Sequence, residues 1–321
     1  MKRNFILAGI LLIVVGIVAI VVMDILNSRI EVRSGNTLKY DVEAFKKVSP
    51  ELIKYREMRQ LLLDCVQPGG IDVYADVIWF SADQRIYAVD SVGKLIRKFN
   101  VNPGVVSLEC TSNRLYVLYR NRFEVYSFAG ELLSVSGVAD KKSVFTALAV
   151  DDRRVFVADA GNKRIVHYGT DGHIKDSFSG VGPHGEAYGF IIPSPYFDLA
   201  MNAENELWVV NTGTHSLQHY TREGVMVHAY QHNHRGVEGF SGCCNPAFFT
   251  FLPDGRFVTS EKGNVRVKIY SAKGEFESVV APPEKFFDNG HAPDVATLST
   301  GIVVLLDYDR KMVRFFKPLE K

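Results

Sequence analysis

Six short apolar runs recur along the chain, and their spacing limits the fold more than any other feature. They are Ile86-Tyr87-Ala88-Val89-Asp90, Leu115-Tyr116-Val117-Leu118-Tyr119, Val155-Phe156-Val157-Ala158-Asp159, Leu207-Trp208-Val209-Val210-Asn211, Arg256-Phe257-Val258-Thr259-Ser260 and Val303-Val304-Leu305-Leu306-Asp307. Their last residues lie 29, 40, 52, 49 and 47 residues apart. The mean, about 43, is the length of one four-stranded propeller blade. Each run is preceded by a strand pattern and a tight turn, as in Phe251-Leu252-Pro253-Asp254-Gly255, where Pro presets φ and Gly accepts φ > 0. A second polar turn and two further strands follow, rich in Val, Ile, Phe and Tyr as pleated surfaces require.

The best-matched units read Asp159-Ala160-Gly161-Asn162-Lys163-Arg164-Ile165 and Gly263-Asn264-Val265-Arg266-Val267, each closed by Asp171-Gly172 or Lys273-Gly274 before the last strand. With a strand-opening Pro, an apolar run ending in Asp or Asn, and the Asn-x-Arg-Ile/Val step, residues 68 to 317 resemble the NHL-repeat family. The segment Gly242-Cys243-Cys244-Asn245-Pro246 is similar to that of a bacterial, membrane-anchored subgroup. The resemblance implies an all-β, six-bladed β-propeller and no single function, because propellers serve as lyases, lactonases and binding modules.

The chain ends soon after the third strand of the sixth unit, so an N-terminal strand has to close the ring. Residues 57 to 66, with Leu61-Leu62-Leu63, are the expected donor. Residues 41 to 56 read as a short helix with Ser49 as N-cap and Pro50 and Glu51 in its first turn. Further upstream, Lys2 and Arg3 precede a charge-free run from Phe5 to Met23, nearly long enough to cross a bilayer. The expected division is a transmembrane signal-anchor at 1–24, a linker with a short helix at 25–56 and the propeller at 57–321. Basic residues before the span place the propeller on the periplasmic side of a bacterial inner membrane.

In a blade, the loop leading into the inner strand and the loop joining strands two and three emerge on the same face. That face gathers Cys243, Cys244 and Asn245 with Glu261 and Lys262, and His291 from the next blade. These six are the candidate ligand- or partner-binding residues. Three readings of the paired cysteines stand: packed thiols in a Gly-rich turn, a strained vicinal disulfide, or metal ligands. The candidate metal set is His232, His234, Cys243, Cys244 and His291, suited to zinc or copper. Glu261 and Lys262 read as a surface ion pair or an acid/base pair, and Cys65 and Cys110 as buried thiols or a bridge.

The 37 basic and 36 acidic residues leave a net charge of +1 and no basic patch interleaved with aromatics, which excludes nucleic acid as the partner class. No nucleophile elbow, phosphate loop or His-Glu-x-x-His helix occurs. The leading functional expectation is a membrane-tethered binding module that takes a protein or ligand on its funnel face. The alternatives are a metal- or thiol-dependent redox component of a membrane complex, and a metal-dependent lyase or hydrolase.

Overall fold

The computed structural model describes residues 14–23, 46–182, 184, 189–234, 236–242 and 244–320. The chain forms two units, Met1–Ala44 and Phe45–Lys321. In the first, residues 14–23 are helical. Among the described residues no helix is long and apolar enough to cross a membrane; residues 1–13 and 24 of the expected anchor and 25–45 of the expected linker lie outside them.

The second unit is a six-bladed propeller of six four-stranded antiparallel sheets. The inner strands, in blade order, are Pro68–Tyr74, Ser107–Cys110, Phe145–Val150, Leu199–Met201, Phe248–Phe251 and Asp294–Thr297, and they contact one another in a closed ring. Every residue of the second strands Leu115–Leu118, Leu207–Asn211, Phe257–Glu261 and Val303–Asp307 is buried, whereas the outer strand Leu132–Val135 is exposed throughout. A second strand is covered on both faces by neighbouring blades. That is why it reads as a continuous apolar run rather than an alternating one. The hydrophobic core is therefore divided among the blade interfaces. Between blades four and five, for example, Trp208 and Leu217 pack with Phe249, Phe257 and Tyr270.

In blade one the repeat falls differently from its sequence expectation. Ile86 to Val89 belong to the third strand, Arg85–Val89, and the second strand is Val77–Ala82. The short first interval thus compared unlike strands.

Closure uses the N-terminal strand Tyr55–Leu62, paired from Tyr55↔Pro318 to Leu62↔Met312 with the last strand Met312–Pro318. It begins two residues earlier than expected. The joint is clamped by Arg314, which donates to Glu57 at 2.8 and 3.0 Å and to Asp307 at 2.9 Å while 2% exposed. Within the described part of the expected helix, Lys46 is helical and Pro50–Leu52 form a 3-10 turn in which Ser49 makes no capping bond, after which the chain is extended. Blade five is the physical reason. Ile53 forms a parallel bridge with Val279, and the Lys54 amide donates to the Val279 carbonyl at 3.1 Å. The free edge of strand Phe276–Ala281 thus holds this segment extended.

Candidate functional site

On the funnel face a polar side chain at or just after the end of a blade's second strand fixes the loop leading into the inner strand. Asp83 accepts the Gln67 amide at 2.8 Å, Asp159 the Val144 amide at 3.0 Å, Asn211 the Ile191 amide at 2.9 Å, and Asp309 the His291 amide at 2.8 Å. The Asn-x-Arg step serves the same clamp. In blade three, Asn162 and Arg164 donate to Asp159 at 2.7 and 3.2 Å. These contacts hold Asp159 below the usual carboxylate range although burial opposes them.

Blade five builds this clamp from larger groups. Glu261, Arg266 and Lys268 are all completely buried. Arg266 grips Glu261 through two bonds, at 3.1 and 3.0 Å, and the Lys268 ammonium lies 2.5 Å from it. Arg266, Lys268 and Tyr270 alternate along one strand, so their side chains share a face. That face is covered by the Gly236–Ser241 loop. Arg266 donates to the Gly236 and Gly239 carbonyls, Lys268 to those of Val237 and Gly239, and Tyr270 to that of Glu238. Burial, with Arg266 alongside and despite Glu261, pulls the Lys268 ammonium down to about 7. Glu261 therefore does not pair with Lys262. Along a strand neighbouring side chains point to opposite faces, and Lys262 instead rests 5.0 Å from the Tyr196 ring centroid.

The cysteine loop sits against this cluster. Cys244 and Asn245 are buried at 1% exposure, and Cys243 lies outside the described residues. Asn245 ties the loop to the next turn. Its side-chain oxygen accepts the Lys262 amide at 2.9 Å, and its amide donates to the carbonyls of Ser241 and Lys262. Gly239 is required by packing, because a Cβ there would lie 1.8 Å from the His234 carbonyl oxygen. Cys65 and Cys110 are unbridged.

The candidate metal ligands are dispersed among the described residues. His232 packs against Tyr270 and Phe240, with ring centroids 4.7 and 5.4 Å away. Burial, then the nearby Lys268, pushes its pKa down. His234 is exposed. His291 is engaged by Asp309, with Nδ1 at 2.7 Å from the carboxylate. No three His, Cys, Asp or Glu side chains among the described residues are gathered in a way that could hold an ion.

His291 opens instead on a cavity of about 440 Å3 at the funnel mouth, built from five blades. Gly69 and Pro68 come from blade one, Val105 and Val106 from blade two, Tyr196 from blade four, Phe248 from blade five, and Tyr308 and Asp309 from blade six. The Lys262 ammonium lies over the ring of Tyr196, one of the residues that line the cavity. The Gly263 amide donates to the Gly290 carbonyl at 2.9 Å, which joins the Lys262 turn to the His291 loop. Of the six candidate binding residues, His291 lines this cavity, Lys262 contacts Tyr196 of its lining, Asn245 holds the Lys262 turn, and Glu261 is buried in the blade with Arg266 and Lys268.

Sequence reasoning missed the aromatic wall and a set of carboxylates around the axis. Asp72, Asp198 and Asp294 each accept the next residue's amide and one from the adjoining blade: Cys110 at 2.6 Å, Phe249 at 2.8 Å and Ile71 at 3.1 Å. Burial raises Asp72 to about 6 and Asp294 to about 7, and lifts Asp198 and Glu109 well above the ordinary range. The available signal was Asp between apolar neighbours on inner-strand positions: Ile71-Asp72-Val73, Phe197-Asp198-Leu199 and Pro293-Asp294-Val295.

No protein-family model matches the chain, and no curated protein resembles it in sequence. Solved structures do resemble it in fold. A streptogramin B lyase superposes with a TM-score of 0.57 at 15% identity, covering 84% of this chain and 100% of that one. A catalytically inactive virginiamycin B lyase from Staphylococcus aureus with quinupristin gives 0.55 at 16%, covering 81% and 85%. The Pan2 WD40 domain of Neurospora crassa gives 0.55 at 9%, covering 84% and 97%. Identities this low show the propeller fold alone.

Proposed function

We propose that this chain is a membrane-tethered NHL-type propeller on the periplasmic face of a bacterial inner membrane, which binds a protein or ligand at its funnel mouth. The observation that carries the reading is the cavity to which five blades contribute. Concave, mostly apolar sites with a few convergent polar groups are where rigid scaffolds bind. The tether rests on the charge-free run from Phe5 to Met23 behind Lys2 and Arg3, of which residues 14–23 are helical.

The test is site-specific photo-crosslinking with the full chain in native membranes. A crosslinking residue at Val106, on the funnel rim, gives a discrete adduct. The same residue at Asn113, on the hairpin between the first two strands of blade two and hence on the opposite face, gives none. Equal labelling at both positions overturns the reading. A catalytic reading has one observation in its favour: the His291 imidazole is oriented by Asp309 as a general base would be. It predicts turnover that is lost in His291→Ala with binding retained.

A further inference from the structure

We infer that the funnel cavity is a site for an organic cation, a protonated alkylamine, held by the rings of Tyr196, Phe248 and Tyr308 and by the His291–Asp309 pair. The inference rests on the funnel reading and gives its ligand a chemistry.

Three aromatic side chains from three successive blades converge on this cavity. Tyr196 meets Phe248 edge-on with centroids 5.8 Å apart, and Phe248 meets Tyr308 at 6.2 Å and 39°. Ring faces attract ammonium groups through their quadrupoles, most strongly where water is excluded. Tyr196 already attracts one, the Lys262 ammonium at 5.0 Å.

The polar groups are arranged as acceptors. A carboxylate can only accept, so the 2.7 Å contact between Asp309 and His291 Nδ1 places the proton on Nδ1. In the neutral ring that leaves Nε2 with a lone pair. The Tyr308 hydroxyl hydrogen is spent on the Gly69 carbonyl at 2.9 Å. What these groups leave for a ligand is a lone pair, a carboxylate and π-faces, which complement an N–H donor bearing positive charge.

Electrostatics oppose the other ligand classes. Asp309 stands at the rim. An anion brought here would face its carboxylate. A neutral alcohol would gain the hydrogen bond and lose the charge and cation–π attraction.

The experiment is calorimetric titration of the full chain in detergent micelles with n-butylammonium, n-butanol and butyrate. Butylammonium is expected to bind saturably, n-butanol at least tenfold more weakly and butyrate not at all. Tyr196→Phe and Phe248→Tyr, which keep a ring face, retain the affinity within about twofold. Phe248→Leu and Asp309→Asn each lower it at least threefold. Equal binding of the alcohol, preference for butyrate, or indifference to Phe248→Leu overturns the assignment. So does a lack of saturable binding by any probe. If Val106 still gives its crosslink in that case, the funnel reading stands and only the ligand chemistry falls. If the crosslink is also absent, both fall.

Discussion

Glu261 shows how strongly a buried charge depends on its neighbours. It neutralises two completely buried cations, Arg266 and Lys268. Glu261→Gln leaves both without a counter-charge, a loss that typically costs about 3–5 kcal/mol. Lys268→Met keeps the Glu261–Arg266 bonds and removes an ammonium that burial already disfavours, so its cost should stay below about 2 kcal/mol, mostly from the Val237 and Gly239 carbonyls it abandons. Denaturant midpoints for the two variants test this ordering. A larger loss for Lys268→Met would show that loop anchoring outweighs charge balance. Little at this site is legible in the sequence. Arg266-Val267-Lys268-Ile269 alternates as a half-exposed strand does, a pattern that places the two cations in solvent. The loop that buries them comes from more than 25 residues upstream, a distance over which strand periodicity carries no information. Asn245 is legible in place but not in role: the sequence offers it as a binding residue, whereas its side chain bonds the backbone of Ser241 and Lys262.

At the scale of the element, the closing strand is legible in kind because its partner is missing. Six repeated apolar runs with a truncated last blade leave one sheet edge to fill, and Leu61-Leu62-Leu63 is the nearest apolar stretch upstream. Its start is harder to read because Tyr55 and Arg56 look like a helix end. Their strand conformation is set by Pro318 and Lys317, 263 and 261 residues away across the joint. The ionic clamp at this joint gives a prediction. Arg314 is nearly dry and is paired with both Glu57 and Asp307. Burial works to raise Glu57, yet its bonds to Arg314 and Gln60 hold it below the usual range. Glu57→Gln should therefore destabilise the propeller by about 2–4 kcal/mol. It should also raise amide exchange first in Tyr55–Leu62, because the weakened contacts lie at the seam where the first strand pairs with the last. Exchange that rises uniformly across blades would show that the seam is not the weak point.

At the scale of the whole molecule, the axial carboxylates and Lys268 set opposing pH dependences. Asp72 and Asp294 titrate near 6 and 7 in the folded chain against 3.8 for an unperturbed Asp. Between about pH 4 and 7 the native state holds protons that the unfolded chain has released, so these groups make stability fall as pH rises. Asp140, Asp159 and Asp254 are depressed, and their contribution is lost only as pH falls below about 4. Lys268 titrates near 7 against 10.5 unperturbed. Above pH 7 the unfolded chain stays protonated where the native one is neutral, so this group makes stability rise toward pH 10. Together these groups predict a stability that is highest near pH 4–5 and falls toward pH 7; above pH 7 Lys268 works to raise it, while Asp198 and Glu109, lifted well above the ordinary range by burial, work to lower it. Asp294→Asn removes one titration on the falling limb. Each tenfold change in proton affinity is worth about 1.4 kcal/mol, so the limb should flatten by on the order of 3 kcal/mol. The same substitution lowers stability at every pH, because an amide can accept only one of the Val295 and Ile71 amides that the carboxylate now accepts. The slope of the midpoint against pH, rather than its height, is therefore the quantity to compare. Lys268→Met should lose stability relative to wild type as pH rises from 7 to 10 and leave the acidic limb unchanged. A wild-type profile that rises steadily from pH 4 to 7 would mean the axial carboxylates are ionised in the folded ring, with their charge offset by the backbone amides of adjacent blades.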